Sequence, residues 1–140
     1  MSKADKQAVI VAALEACDRS VAPFSNFLVG AAIQTHAGKI FTGCNIESAS
    51  YGLTVCAERV AIWKAVSEGE RNFTHLVISA DTESLTPPCG TCRQIIWEFA
   101  KDAEITLVNR RGSEEVVQIR ELLPLAFDAR FLKEARRSGT

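Results

Sequence analysis

Apolar positions along the chain recur with two different periods, and the changes of period mark out its elements. Residues 4–17, ADKQAVIVAALEAC, carry apolar side chains at helical spacing and predict an amphipathic helix, closed by the turn-prone SVAPFSN. FLVGAAIQT (27–35) reads as a strand, HAG (36–38) as a turn and KIFTGCNIE (39–47) as a second strand. Helical spacing returns over 54–68. Cys56, Val60, Trp63 and Ser67 share one face there, Ala57, Ala61 and Ala65 lie beside them, Thr54 stands as a cap and Gly69 as a stop. HLVISA (75–80) is a short apolar run bounded by polar residues, a buried strand. After Pro87 and Pro88, the residues Cys92, Ile95, Ile96, Phe99 and Ala100 fall on one helical stripe. EITLVN (104–109) and EVVQI (115–119) predict two further strands. Helices inserted between central strands imply a mixed sheet covered on both faces. The expected fold class is α/β, a three-layer α/β/α sandwich with a mixed central sheet of about five strands. Residues 1–140 read as a single domain, with 129–140 as a flexible tail.

Composition narrows the partners. Hydrophobic residues make up 47% and charged residues 24%, the profile of a chain that builds its own core. The formal net charge is −1, and the one basic pair, Arg136 and Arg137, falls in the expected tail. No basic stripe is present of the kind that binds a polynucleotide backbone. No apolar run approaches the ~20 residues of a membrane span. The N-terminal apolar stretch is followed by Glu15 and Asp18 without a small-residue cleavage site, so it suits a first helix better than a signal peptide. Five cysteines, an odd number, with no export signal, point to a reducing cytoplasm and to ligand or catalytic use rather than disulfides.

The cysteines supply the candidate chemistry. Cys89 and Cys92 form a C-x2-C pair behind the double proline, and Cys56 opens CAER at the start of the second predicted helix. If the two helix N-termini meet at one end of the sheet, three thiolates converge and leave the fourth tetrahedral position of a zinc ion open, the mark of a catalytic site. Helix N-termini also favour anionic sulfur. Glu58, two residues after a ligand, would stand near the metal as an acid/base without binding it. Three thiolates on Zn²⁺ leave a net −1, and Arg59, one turn from Cys56, could draw charge off the sulfur. Asn45 and Glu47 alternate around Ile46, so a strand continuing through them would project both from one face. Cys17 and Cys44 read as small buried hydrophobes, and His36 and His75 as bystanders.

A cysteine followed by x-Glu, then P-C-x-x-C, is a variant of the zinc nucleobase deaminase signature. FSNFLVGAAI, GCNIESASYG, CAERVAIWKAVSEG, PPCGTCRQ and ELLPLAF together resemble the small homotetrameric cytidine deaminases, over roughly residues 20 to 128. The resemblance implies one Zn²⁺ per chain and hydrolytic deamination of cytidine and 2′-deoxycytidine to the uridines with release of ammonia, a pyrimidine-salvage step. It makes Glu58 the proton shuttle. It assigns Asn45 and Glu47 to the ribose, Phe27 to the pyrimidine face, the Ala57 N–H to the base, and the Pro87 carbonyl, just before Pro88, to the leaving amine. Phe127 would enter the site of a neighbouring subunit in a homotetramer. A Cys rather than a His before Ala-Glu favours free nucleosides over polynucleotides, and Glu47 would repel a nearby phosphate. Three positions depart from the family pattern. Phe24 stands where many members have Tyr, Pro87 replaces a common Ser, and Ser50 replaces a frequent Cys or Ala. The competing readings are a deaminase of a modified cytosine nucleoside or aminonucleoside antibiotic, a structural zinc module with Cys44 as fourth thiolate, and a redox dithiol.

Overall fold

The computed structural model describes residues 3–138, and the side chains of Arg136 and Arg137 fall outside the described set. Helix α1 spans Lys3–Cys17 and is followed by strands β1 (Val29–Thr35) and β2 (Ile40–Cys44). After a 3-10 turn at Tyr51–Leu53 come helix α2 (Ala57–Ser67), strand β3 (Phe73–Ala80) and helix α3 (Gly90–Phe99). Strands β4 (Glu104–Val108) and β5 (Glu114–Val117), a short helix α4 (Ile119–Leu122) and helix α5 (Ala129–Ser138) complete the order. Within the described residues no helix is long and apolar enough to cross a membrane.

The strands form one sheet in the order β2-β1-β3-β4-β5. Only the β3–β4 pair is parallel; the other three are antiparallel. A parallel pair needs a crossover, and α3 supplies it. Period-two alternation then sorts the core into two sides. Ile33, Leu76, Ile78, Ile105 and Leu107 face α2 and α3, whereas Ala32, Val77 and Val108 face Val9, Ile10 and Ala13 of α1. This is the expected three-layer sandwich, with five strands. Two glycines let the layers close. A Cβ at Gly43 would stand 2.4 Å from the Ala57 carbonyl and 2.6 Å from the Ala61 nitrogen, so α2 lies directly on β2. A Cβ at Gly30 would stand 2.2 Å from the Ala13 carbonyl, which brings α1 equally close to β1.

Several boundaries differ from the sequence expectation, each for a local reason. β1 begins at Val29 rather than 27, because Asn26 takes a left-handed backbone (φ 58) that breaks extension. β2 stops at Cys44, and Ile46 continues only as single bridges to Val21 and Val55. Cys56 rather than Thr54 occupies the N-cap of α2; the Thr54 hydroxyl instead accepts the Ser48 N–H at 3.0 Å. The buried stripe of α2 is Ala57, Glu58, Ala61, Ile62 and Ala65. Trp63, on the face that Cys56 and Val60 share, is 45% exposed. Gly69, at φ 95, ends the helix as expected. The segment expected as a tail from 129 is helical through Ser138, and α3 holds its start through a 3.0 Å hydrogen bond from Trp97 Nε1 to Asp128 Oδ2.

Candidate active site

Helices α2 and α3 begin in the same way, and that brings the sulfurs together. Each has a cysteine at its N-cap in extended backbone, Cys56 (φ −78, ψ 154) and Cys89 (φ −66, ψ 168). An N-cap side chain ordinarily folds back to accept a first-turn N–H. Neither thiol does so; the two turn toward each other, 3.6 Å apart. Cys92, fully buried in the first turn of α3, completes a trio whose sulfurs all lie within 4.8 Å of one another. Thiolates on a tetrahedral zinc, with Zn–S near ~2.3 Å, sit roughly 3.8 Å apart. The donor set and its spacing fit one zinc ion. Among the described residues the group contains no fourth ligand. Cys44 alternates with Phe41 and Gly43, which face α2, so it points to the opposite side of the sheet, where its thiol meets the Arg19 carbonyl at 3.4 Å.

The electrostatics concentrate negative charge on the cap of α2. The Cys56 thiol is pulled down to about 5, first by the hydrogen bond from the Cys92 thiol and then by Arg59 and Cys89, against the cost of burial. Cys92 moves the opposite way, because it is the donor in that bond and is buried beside Glu58. Arg59 approaches Cys56 as expected, Nη2 to Sγ at 3.5 Å. Its guanidinium lies 5.7 Å from the Trp63 ring centroid, and Nε is buried with no hydrogen-bond partner. Glu58 is 4% exposed. Burial pushes its carboxyl up to about 7, with Cys56 adding to the rise and its own backbone N–H and the Cys92 thiol opposing it.

Beside the thiols lies a cavity of about 170 Å³. Phe27, Asn45, Ala57, Glu58 and Pro87 all line it, together with Cys56 and Cys89. Phe27 is not the core residue that a strand from 27 would make it; it is 41% exposed at the mouth of β1. Asn45 braces that mouth, Oδ1 accepting the Val29 N–H at 2.9 Å and Nδ2 donating to the Phe27 carbonyl at 2.7 Å. Glu47 is turned to the 24–25 loop. It accepts the Phe24 and Ser25 N–H groups at 3.0 and 3.1 Å and the Ser25 hydroxyl, and the Ser25 bond is the main reason its carboxyl lies below the usual range. Phe127 stands apart from the cavity of its own chain, 57% exposed and stacked on Phe131 at 5.8 Å. Val29, Thr54, Val55, Ile78 and Thr86 also line the cavity, and sequence reasoning did not single them out. Thr54 had a signal, a hydroxyl two residues before a ligand, but read more simply as a cap.

A mixed five-stranded sheet with helices on both faces, gathering three thiols and a buried carboxylate at two helix N-termini, defines a three-layer α/β zinc-binding protein. Comparison with known proteins makes the class specific. Residues 3–108 match the family model described as the cytidine and deoxycytidylate deaminase zinc-binding region. The chain is 44% identical over 126 residues to a cytidine deaminase of Halalkalibacterium halodurans, covering 89% of this chain and 96% of that one. It is 42% identical over 132 residues to a cytidine deaminase of Sporosarcina psychrophila, covering 94% and 97%. The crystal structure of a cytidine deaminase from Burkholderia pseudomallei superimposes with a TM-score of 0.84 at 42% identity, over 91% of this chain and all of that one. The chain belongs to the zinc-dependent cytidine deaminase family.

Proposed function

We infer that the protein hydrolytically deaminates cytidine and 2′-deoxycytidine to the corresponding uridines, releasing ammonia. The observation that carries this reading is the cavity, lined by Glu58 and by Cys56 and Cys89, with Cys92 buried within 4.8 Å of both thiols. Cys56, Cys89 and Cys92 would hold the metal. When bound, zinc supplies Lewis acidity and lowers the pKa of a water at the position that three protein ligands leave open.

The remaining steps belong to the chain. Glu58, two residues from Cys56 and lining the same cavity, takes a proton from the water whose oxygen bonds to C4 and delivers it to N3 of the pyrimidine. It then takes a second proton, from the hydroxyl added at C4, and passes it to the exocyclic nitrogen as the C4–N bond breaks and ammonia leaves. One carboxyl can do both because the two transfers are sequential. Ala57 is the first residue of α2, so its N–H has no intrahelical partner and is free to hold the base. The Pro87 carbonyl accepts from the departing amine. Phe27 covers the ring. Asn45 keeps one Nδ2 hydrogen and one Oδ1 lone pair beyond its two described bonds, and Glu47 keeps one lone pair on Oε2, which is enough for ribose hydroxyls. Arg59 withdraws charge from the Cys56 thiolate. Phe127, exposed and outside the lining of its own cavity, completes the site of a neighbouring chain in a homotetramer.

The experiment is the ultraviolet spectrum of cytidine incubated with the zinc-loaded protein. A shift to the uridine spectrum, lost in Glu58→Ala at unchanged zinc content, is the expected result. An unchanged spectrum from folded, zinc-loaded protein would sink cytidine as substrate and turn the search to modified cytosine nucleosides.

A further inference from the structure

We propose that Arg93 is a positioning residue for this site, locking the loop that carries Cys89 to the segment that carries Phe127. The inference rests on the roles assigned above to the thiol trio and to Phe127. Arg93 reaches two ways from α3: Nε donates to the Pro88 carbonyl at 2.8 Å and Nη1 to the Leu122 carbonyl at 3.0 Å. A guanidinium is a planar, rigid fork, so two acceptors on one fork are fixed relative to each other as well as to the arginine.

On the first side the bond orients the peptide that leads into Cys89, the exposed member of the trio. Pro88 is buried, so its carbonyl without Arg93 would be left short of a donor. The same loop carries Pro87, whose carbonyl faces the leaving amine in the proposed mechanism. On the second side Leu122 is the last residue of α4, and its carbonyl belongs to the set that a helix end leaves unpaired. The chain then runs to Phe127, whose carbonyl accepts from Gln94 Nε2 at 2.8 Å, and to Asp128, which Trp97 holds. Arg93, Gln94 and Trp97 thus fasten residues 122–128 to α3, and of these three Arg93 also grips the metal-site loop. Arg59 acts on a sulfur directly; Arg93 acts through the main chain.

The test compares holoenzyme of the wild type, Arg93→Gln and Arg93→Lys by three measurements: zinc release into a chromophoric chelator, kcat and KM for cytidine, and thermal midpoint. The expected result is zinc release ~10–100-fold faster in Arg93→Gln and a fall in kcat of similar size. KM should rise no more than a few-fold, since Gln94 and Trp97 still hold the Phe127 segment and Phe27, Asn45 and Ala57 are untouched. Arg93→Lys, which keeps the charge and can satisfy one carbonyl, should fall between, and it carries the test if the Gln variant does not fold. Wild-type zinc release and kcat in the folded variants would overturn the proposal, as would a loss confined to the thermal midpoint. A wild type that holds zinc but leaves cytidine unchanged would overturn the substrate reading. Faster zinc release in Arg93→Gln would still uphold Arg93 in that case.

Discussion

In the proposed mechanism Glu58 carries the protons, and its burial at 4% exposure sets it apart from the half-buried Cys56 and exposed Cys89. Glu58→Gln keeps the shape of the side chain and removes its proton exchange, so turnover should fall by about 10²–10⁴ with zinc content at one per chain, measured by steady-state assay and metal analysis. Cys44 makes the opposite test. It lies on the other face of the sheet from the trio, so Cys44→Ser should leave both zinc content and kcat at wild-type values. A loss of zinc there would revive a four-thiolate structural site. The trio and Glu58 were legible in the sequence because metal chemistry constrains residue type and spacing together. The working partners of Asn45 and Glu47 were not. Asn45 braces Val29 and Phe27, and Glu47 grips Ser25, across sequence gaps that no local period reveals.

At the scale of elements, the site is as well placed as the contact between α2 and β2. Gly43→Ala would drive a methyl into the Ala57 carbonyl and the Ala61 nitrogen, both backbone atoms of the helix that begins at Cys56. Overpacking of this kind costs roughly 1–3 kcal/mol. The expected result is a lower denaturant midpoint together with faster zinc loss, because α2 carries Cys56 and Glu58. Gly30→Ala strikes α1 instead, on the other side of the sheet. It should lower the midpoint by a similar amount and leave zinc retention unchanged in the folded protein. Periodicity foretold the strands and helices well, since a half-buried sheet forces alternation and a covered helix forces a stripe. It erred where another force decided. The left-handed Asn26 shortened β1, and Cys56 rather than Thr54 took the cap of α2.

At the scale of the whole molecule, the C-terminal third exposes apolar groups that a lone chain has no use for. Leu125 is 105% exposed and held at φ 53, an uncommon backbone for leucine, with Phe127, Phe131 and Leu132 exposed nearby. Under the proposed assembly, sedimentation should give about four times the mass of one chain. Leu125→Asp should shift the distribution to smaller species, and Phe127→Ala should raise the KM for cytidine in an intact assembly. A monomer with full activity would remove Phe127 from the site.

The two cysteine caps have a further consequence, this time for the unfolded chain. Cys56 and Cys89 are 33 residues apart in sequence, and the whole of β3 with both its connections lies between them. A metal bound to both ties off that stretch as a closed ring. By analogy with a disulfide closing a ring of that length, the restriction of the unfolded chain is worth about 3–4 kcal/mol. Chelation should therefore lower the unfolding midpoint as well as stop turnover, and it should do so by the same amount in the Glu58 variant, in which there is no catalysis left to lose.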